Sequence, residues 1–259
     1  MKRLHLFEFE DKAWYPDFIR KGQTDFLRWL MQTFNVFKAV MPLFKKALAQ
    51  LPSQPVVDLC SGGGGSILLV RNYLEKDGLA PQFILTDLFP NVEAFKLLQQ
   101  KTAGQVGYLT ESVDARQLPD SLQGFFTLFN GFHHFQPQEA QQVLAQLIQR
   151  KAGIAIFEPI EKSVFQFLLN TFAIPLLQLL FTPFILPFRW DRLLFTYLIP
   201  IIPICTLWDG WVSVLRLYTP KEMLAMAQSL SADYEWQAGT ARHTFGVVTY
   251  LIGIPKDAK

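Results

Sequence analysis

The chain has 259 residues, 50% of them hydrophobic and 18% charged, which excludes a disordered polyelectrolyte and provides enough chain for one large core. Lysine and arginine number 24 against 22 aspartates and glutamates, so there is no basic field to hold nucleic acid by its phosphates. Two cysteines, Cys60 and Cys205, make neither a disulfide framework nor a zinc spacing; with an apolar run after Met1 too short for a secretory signal, they point to reduced thiols and a cytoplasmic setting.

Residues 16–50 carry Phe26, Leu27, Leu30, Met31, Phe34 and Phe37 at helical steps, and Pro42 opens or kinks a second helix. Together with the preceding residues they predict an N-terminal helical cap over 1–51. The pattern then changes to short apolar runs separated by helical ones. Strands are expected at Val56–Cys60, Gln82–Asp87, Val106–Thr110, Phe125–Asn130 and Gly153–Glu158, with helices at Ile67–Lys76, Asn91–Lys101 and Glu139–Arg150. Such alternation predicts a parallel sheet covered on both faces. Thr219-Pro220 reads as the N-cap and first position of a helix through Ser229. Tyr234–Gly239 and Thr244–Ile254 read as a hairpin at the sheet edge, turning near Ala241-Arg242. The expectation is one α/β domain, a doubly wound, mostly parallel sheet with an antiparallel terminal strand, built from 52–162 and 209–259.

Residues 163–208 interrupt it. No charge occurs from Ser163 to Phe188 or from Leu193 to Trp208, and Pro175, Pro183, Pro187, Pro200 and Pro203 divide the stretch. The first part has the length of a membrane span, about 20 residues. Three readings follow: an apolar helical lid over a site, peripheral membrane contact through 163–207, or a homodimer interface.

The most informative segment is Val56-Val57-Asp58-Leu59-Cys60 followed by Ser61-Gly62-Gly63-Gly64-Gly65-Ser66. A strand, a glycine turn and a helix start form a place where backbone approaches a ligand closely. It is not a P-loop, since no Gly-Lys-Ser/Thr follows, and Ile67 stands at the third glycine of the dinucleotide fingerprint. Asp87, ending the second strand, suits the two hydroxyls of a ribose or an ordinary strand-end role. Asp114, in Ser112-Val113-Asp114-Ala115, suits an amine donor or a helix cap. Asn130-Gly131-Phe132-His133-His134-Phe135 brings paired histidines to the carboxyl edge of the sheet, where open α/β sheets form their binding crevice.

Taken together, these motifs resemble the class I S-adenosylmethionine-dependent methyltransferases, most of all their small-molecule branch, clearly over 52–158. The resemblance implies a Rossmann-like fold with S-adenosylmethionine as cofactor. Asp58, Gly62 and Gly64 would then hold the methionine end, with Cys60 and Ser61 in the same turn and Cys60 replacing the family's first glycine; a cysteine at negative φ makes that turn. Asp87 and Leu88 would take the ribose side, Asp114 and Ala115 the adenine, and Asn130 the neighbourhood of the sulfonium.

Methyl transfer also needs an aligned acceptor and, where it is protic, a base. His133, His134 and Glu158 are the candidates. Trp14, Tyr15 and Arg20 before and in the first helix, with Arg189, Trp208 and Asp209 around the insertion, are candidates for shaping an acceptor pocket; Arg192 and Arg216 are further groups able to orient a polar end. The aromatic and aliphatic insertion implies a small hydrophobic substrate. The four histidines show no metal-ligand spacing, so no metal is expected. A non-methylating enzyme of the cyclisation or decarboxylation type, or a membrane-associated binding protein, are alternatives on the same fold.

Overall fold

The computed structural model describes residues 3–51, 54–243 and 246–258. Its sheet has seven strands in the order β3-β2-β1-β4-β5-β7-β6. Strands β1 (Val56–Leu59), β2 (Phe83–Leu85), β3 (Val106–Tyr108), β4 (Phe125–Phe129) and β5 (Ile154–Glu158) are parallel. Strand β7 (Gly246–Pro255) runs antiparallel to β5, and β6 (Tyr234–His243) pairs with β7 at the edge. The order turns back on itself between β1 and β4, and that switch point opens a crevice at the carboxyl ends of both strands.

The central strands are apolar throughout because they are buried on both faces. Val56, Phe125, Phe129 and Phe157 point into one layer, and Val57, Phe126, Leu128 and Ile156 into the other. Outside the sheet, α1 (Asp17–Phe34) leads to α2 (Met41–Leu48), which with α3 (Ile67–Lys76) and α4 (Val92–Lys101) covers the first face. Helices α5 (Pro137–Gln149) and α10 (Pro220–Leu230) cover the second. Thr219 caps α10 as expected, its side chain accepting from Glu222 N while Glu222 returns a bond to Thr219 N.

The hairpin differs from expectation. Ala241 and Arg242 lie inside β6, paired with Val248 and Val247, and the connection falls at 244–245, outside the described residues. Gly239, where the first strand was expected to end, continues it and pairs with Tyr250; a Cβ there would come within 2.8 Å of the Tyr250 hydroxyl.

Between β5 and α10 the chain builds a helical layer. α6 (Val164–Leu168), a wide turn at Leu169–Ala173, α7 (Ile174–Phe181) and a 3-10 turn at Thr182–Phe184 form one rod. α8 (Trp190–Leu193), with its continuation through Leu198, then meets α9 (Ile201–Arg216) at 79°. α1 packs on α9 through a small core of Tyr15, Ile19, Ile202 and Cys205. The residues before α1 form a strap along α9: Leu4 N donates to Leu215 O at 3.0 Å, Arg216 Nε to Leu6 O at 2.7 Å and Phe9 N to Asp209 Oδ1 at 2.8 Å.

Candidate functional site

The crevice begins where β1 ends. Cys60 takes φ 55° and Gly62 φ 54°, so Cys60 adopts a left-handed backbone rather than the negative φ expected for it. Asn130, at the end of the neighbouring β4, sits at φ 63°. Such conformations cost a non-glycine residue roughly 1–3 kcal/mol and collect at functional sites. Beneath the turn, Asp58 accepts from Ser61 Oγ at 2.7 Å and Thr127 Oγ1 at 2.8 Å, and burial pushes its carboxyl up to about 7. Asp58 therefore braces the turn from below and does not line the crevice. Gly64 does not line it either; its φ of 83° and the Leu98 side chain beside it make glycine a packing requirement.

Above the turn lies a cavity of about 490 Å³, lined by Cys60, Ser61, Gly62, Asp87, Leu88, Asp114, Ala115 and Asn130 among others. Asp87 Oδ2 accepts from Gly62 N at 2.7 Å and Oδ1 from Phe89 N at 2.8 Å. Burial raises its pKa, against the pull of those two amides. The bonds fix the carboxylate at the rim with lone pairs left over. Asp114 is chelated by Arg116 (2.8 Å), which also reaches Glu139 at 2.6 Å; the guanidinium holds Asp114 below the usual carboxylate range.

A second cavity of about 390 Å³ abuts the first, and Glu10, Leu27, Met31, Asn130 and His134 line both. Its walls are α1 and the insertion (Leu30, Phe34, Leu169, Ile174, Leu177), and its polar end holds His133 and Glu8. The two histidines, in the 3-10 turn Phe132–His134, have opposite surroundings. His133 Nδ1 lies 2.8 Å from Glu158 Oε2, and Glu158 Oε1 accepts from Phe132 N and His133 N at 2.6 and 3.1 Å. A carboxylate so placed accepts, so Nδ1 carries a proton, and in the neutral imidazole Nε2 is the acceptor nitrogen. That Nε2 is buried without a hydrogen-bond partner, 3.9 Å from Glu8 Oε1.

His134 Nδ1 instead sits 2.7 Å from Asp11 Oδ1 and 3.0 Å from Glu8 Oε2. Burial alone would lower its pKa; the two carboxylates reverse that and hold it well above the ordinary range. Arg216 completes the cluster, 2.6 Å from Asp11 and 3.4 Å from Glu8. The fold thus brings donor atoms of Glu8, His133 and His134 within 4.8 Å of one another, a juxtaposition invisible in their sequence spacing, but the imidazolium and Arg216 already supply the positive charge there.

The expected acceptor-pocket residues separate. Asp209 lines the second cavity and accepts from Phe9 N, Glu10 N and Gln23 Nε2. Arg20 lines the first cavity, its guanidinium 3.9 Å over the Phe89 ring. Trp14 is 68% exposed and Tyr15 is buried in the α1–α9 core; neither lines either cavity. Trp208 donates to Phe7 O, and Arg189 pairs with Asp191 and Glu93. Arg192 is buried against Asp25 at 2.7 Å, a structural pair. Glu158 orients His133 without lining a cavity. Sequence reasoning missed Glu8, Glu10 and Asp11; the signal was three acids in four residues set between apolar and aromatic neighbours.

No protein-family model and no curated protein sequence matches the chain. Solved structures do match its fold. The plantazolicin methyltransferase BpumL in complex with SAH superposes with TM-score 0.56 at 10% identity, covering 92% of this chain and 96% of that one. Magnesium protoporphyrin IX methyltransferase (ChlM) from Synechocystis PCC 6803 with bound SAH gives 0.51 at 15%, covering 89% and 85%. The CMeT domain of the citrinin polyketide synthase gives 0.53 at 14%, covering 87% and 54%.

Proposed function

We propose that this chain, which has the fold of the class I S-adenosylmethionine-dependent methyltransferases, transfers a methyl group from S-adenosylmethionine to a small, largely apolar acceptor. The observation that carries the reading is the pair of abutting cavities. One has a glycine turn and a rim carboxylate, and the other is apolar with an unpartnered imidazole nitrogen, and Asn130 and His134 stand at their boundary.

The residues of the first cavity fit the cofactor. The Cys60–Gly63 turn exposes backbone, Asp87 offers a carboxylate to vicinal hydroxyls, and Val113 to Ala115 form an edge for a flat base. S-adenosylmethionine, when bound, supplies a methyl on a positively charged sulfur, open to in-line displacement. The acceptor-side work falls to the chain. Apolar walls exclude water and hold the acceptor, and His133 Nε2 removes a proton from a protic acceptor atom. Glu158 keeps the proton on Nδ1 and stabilises the imidazolium that forms. His134, already charged, is a poor base; it helps hold the strap in place and adds a fixed charge at the cavity boundary.

Calorimetric titration with S-adenosylmethionine and S-adenosylhomocysteine tests this. Micromolar binding by the wild type, weakened at least tenfold in Asp87→Ala, is the expected result. Folded wild-type protein that binds neither ligand overturns the reading.

A further inference from the structure

The insertion is built inside out. Of the 22 large hydrophobic side chains exposed on the described surface, 17 lie between Val164 and Ile204. Along the Val164–Phe184 rod the fully buried residues are Gln166, Asn170, Gln178 and Thr182, a single stripe at helical spacing. Arg192 and Thr196 repeat the pattern one turn apart. The stripe bonds within the protein: Gln166 donates to Asn170, Asn170 to Gly210 O, Gln178 to Thr206 and Thr182 to Gln178 O. In water a helix buries its leucines and phenylalanines and shows its amides. Against hydrocarbon the preference inverts, and polar groups turn toward the protein interior.

We infer that the 164–204 surface docks on one leaflet of a lipid bilayer and that the acceptor enters the second cavity from that leaflet. The rod is uncharged, and only 17% of its most apolar stretch is buried in the protein, so its outer face has no covering among the described residues. It is also unsuited to cross a bilayer alone, because its polar stripe is fastened to α9. The chain after it bends by 79° at Ile199–Pro200 rather than continuing. A one-sided embedding, with Phe188, Trp190 and Tyr197 among the exposed rings, fits both facts. Leu176 is 56% exposed and also lines the second cavity, so cavity and outer face meet at one residue. The acceptor class that matches is a membrane-dissolved amphiphile: a long apolar body along Leu169, Ile174 and Leu177, and one protic group at His133 Nε2. This acceptor assignment, unlike the docking, rests on the methyltransferase reading.

The test is flotation of the purified full chain with neutral phosphatidylcholine vesicles at low and high salt, beside the triple variant Phe165→Ser, Phe172→Ser, Leu180→Gln. These three side chains point outward, so the fold and cofactor binding are expected to survive. Docking driven by apolar area persists at high salt and falls at least tenfold in the variant. Wild-type protein that stays with the soluble fraction overturns the inference; a wild-type dimer that the variant converts to monomer then assigns the face to a second copy. S-adenosylmethionine titration in parallel separates the two readings: flotation without cofactor binding leaves the docking standing and removes only the acceptor assignment.

Discussion

At the scale of single residues, adjacent histidines became two different groups because of what approaches them from elsewhere in the chain. Glu158 engages His133 Nδ1 and leaves Nε2 without a hydrogen-bond partner, whereas Glu8 and Asp11 favour the charged form of His134. Replacing His133 by Gln is therefore expected to lower turnover by roughly 10²–10⁴-fold, the usual worth of a positioned base, with cofactor affinity unchanged; single-turnover kinetics beside calorimetry check both. An equal loss in His134→Gln with normal activity in His133→Gln would reverse the assignment. The glycine turn and Asp87 were legible in the sequence because their chemistry is local: a strand end, a turn and the next strand end. The division of labour between the histidines was not, since its determinants lie more than 100 residues upstream and 25 downstream. Cys60 was misjudged for a related reason. Its backbone at φ 55° lies where the end of β1 closely approaches the Gly131 turn from the neighbouring strand, and the residue type does not announce it.

At the scale of elements, periodicity placed most strands and helices of the sheet domain, because full burial makes a strand apolar at every position and half burial makes a helix apolar at every third or fourth. It failed where packing uses small residues, as at Gly239, and it was uninformative in 163–208, where nearly every position is apolar. There the fixed points are polar. Asp25 of α1 accepts from Arg28 at 2.9 Å and Arg192 at 2.7 Å, and the two arginines also donate to carbonyls of Leu186, Ile185 and Pro187. This buried network pins the loop before α8 to α1. Asp25→Ala strands two buried guanidinium groups and is expected to destabilise the protein by about 3–5 kcal/mol, measured by chemical denaturation. A loss below about 1 kcal/mol would mean that the insertion is held by its apolar contacts alone.

At the scale of the whole molecule, buried acids and the histidine cluster together set the pH response. Burial raises Asp58 and Asp209 to about 7 and lifts Asp25 and Asp87. Each therefore binds its proton more tightly folded than unfolded, and stability falls as pH rises from about 4 through those values. Burial also raises Glu8 and Asp11, but His134 and Arg216 outweigh it and leave both below the usual range; their contribution is present above about 4.5 and lost in acid. His134 is raised, so its contribution is complete below about 6.5 and declines as pH climbs toward its folded value. The sum predicts a melting temperature that peaks near pH 5–6 and declines through pH 8, to be read by scanning fluorimetry across buffers. A melting temperature that rises steadily to pH 8 would contradict it.

The strap along α9 also fixes an order of events in biosynthesis. Leu4 waits for Leu215, and Glu8 and Asp11 wait for Arg216, so these residues find their partners only after the intervening sheet strands β1 to β5 have been made. At a ribosomal rate of roughly 5–20 residues per second, that delay is on the order of 10–40 s. During it the early strands and the glycine turn are already available, while the charge cluster beside His133 is not. The turn at the floor of the first cavity can thus form from one early stretch of chain, whereas the walls that both cavities take from the strap arrive only when the two distant segments close on each other.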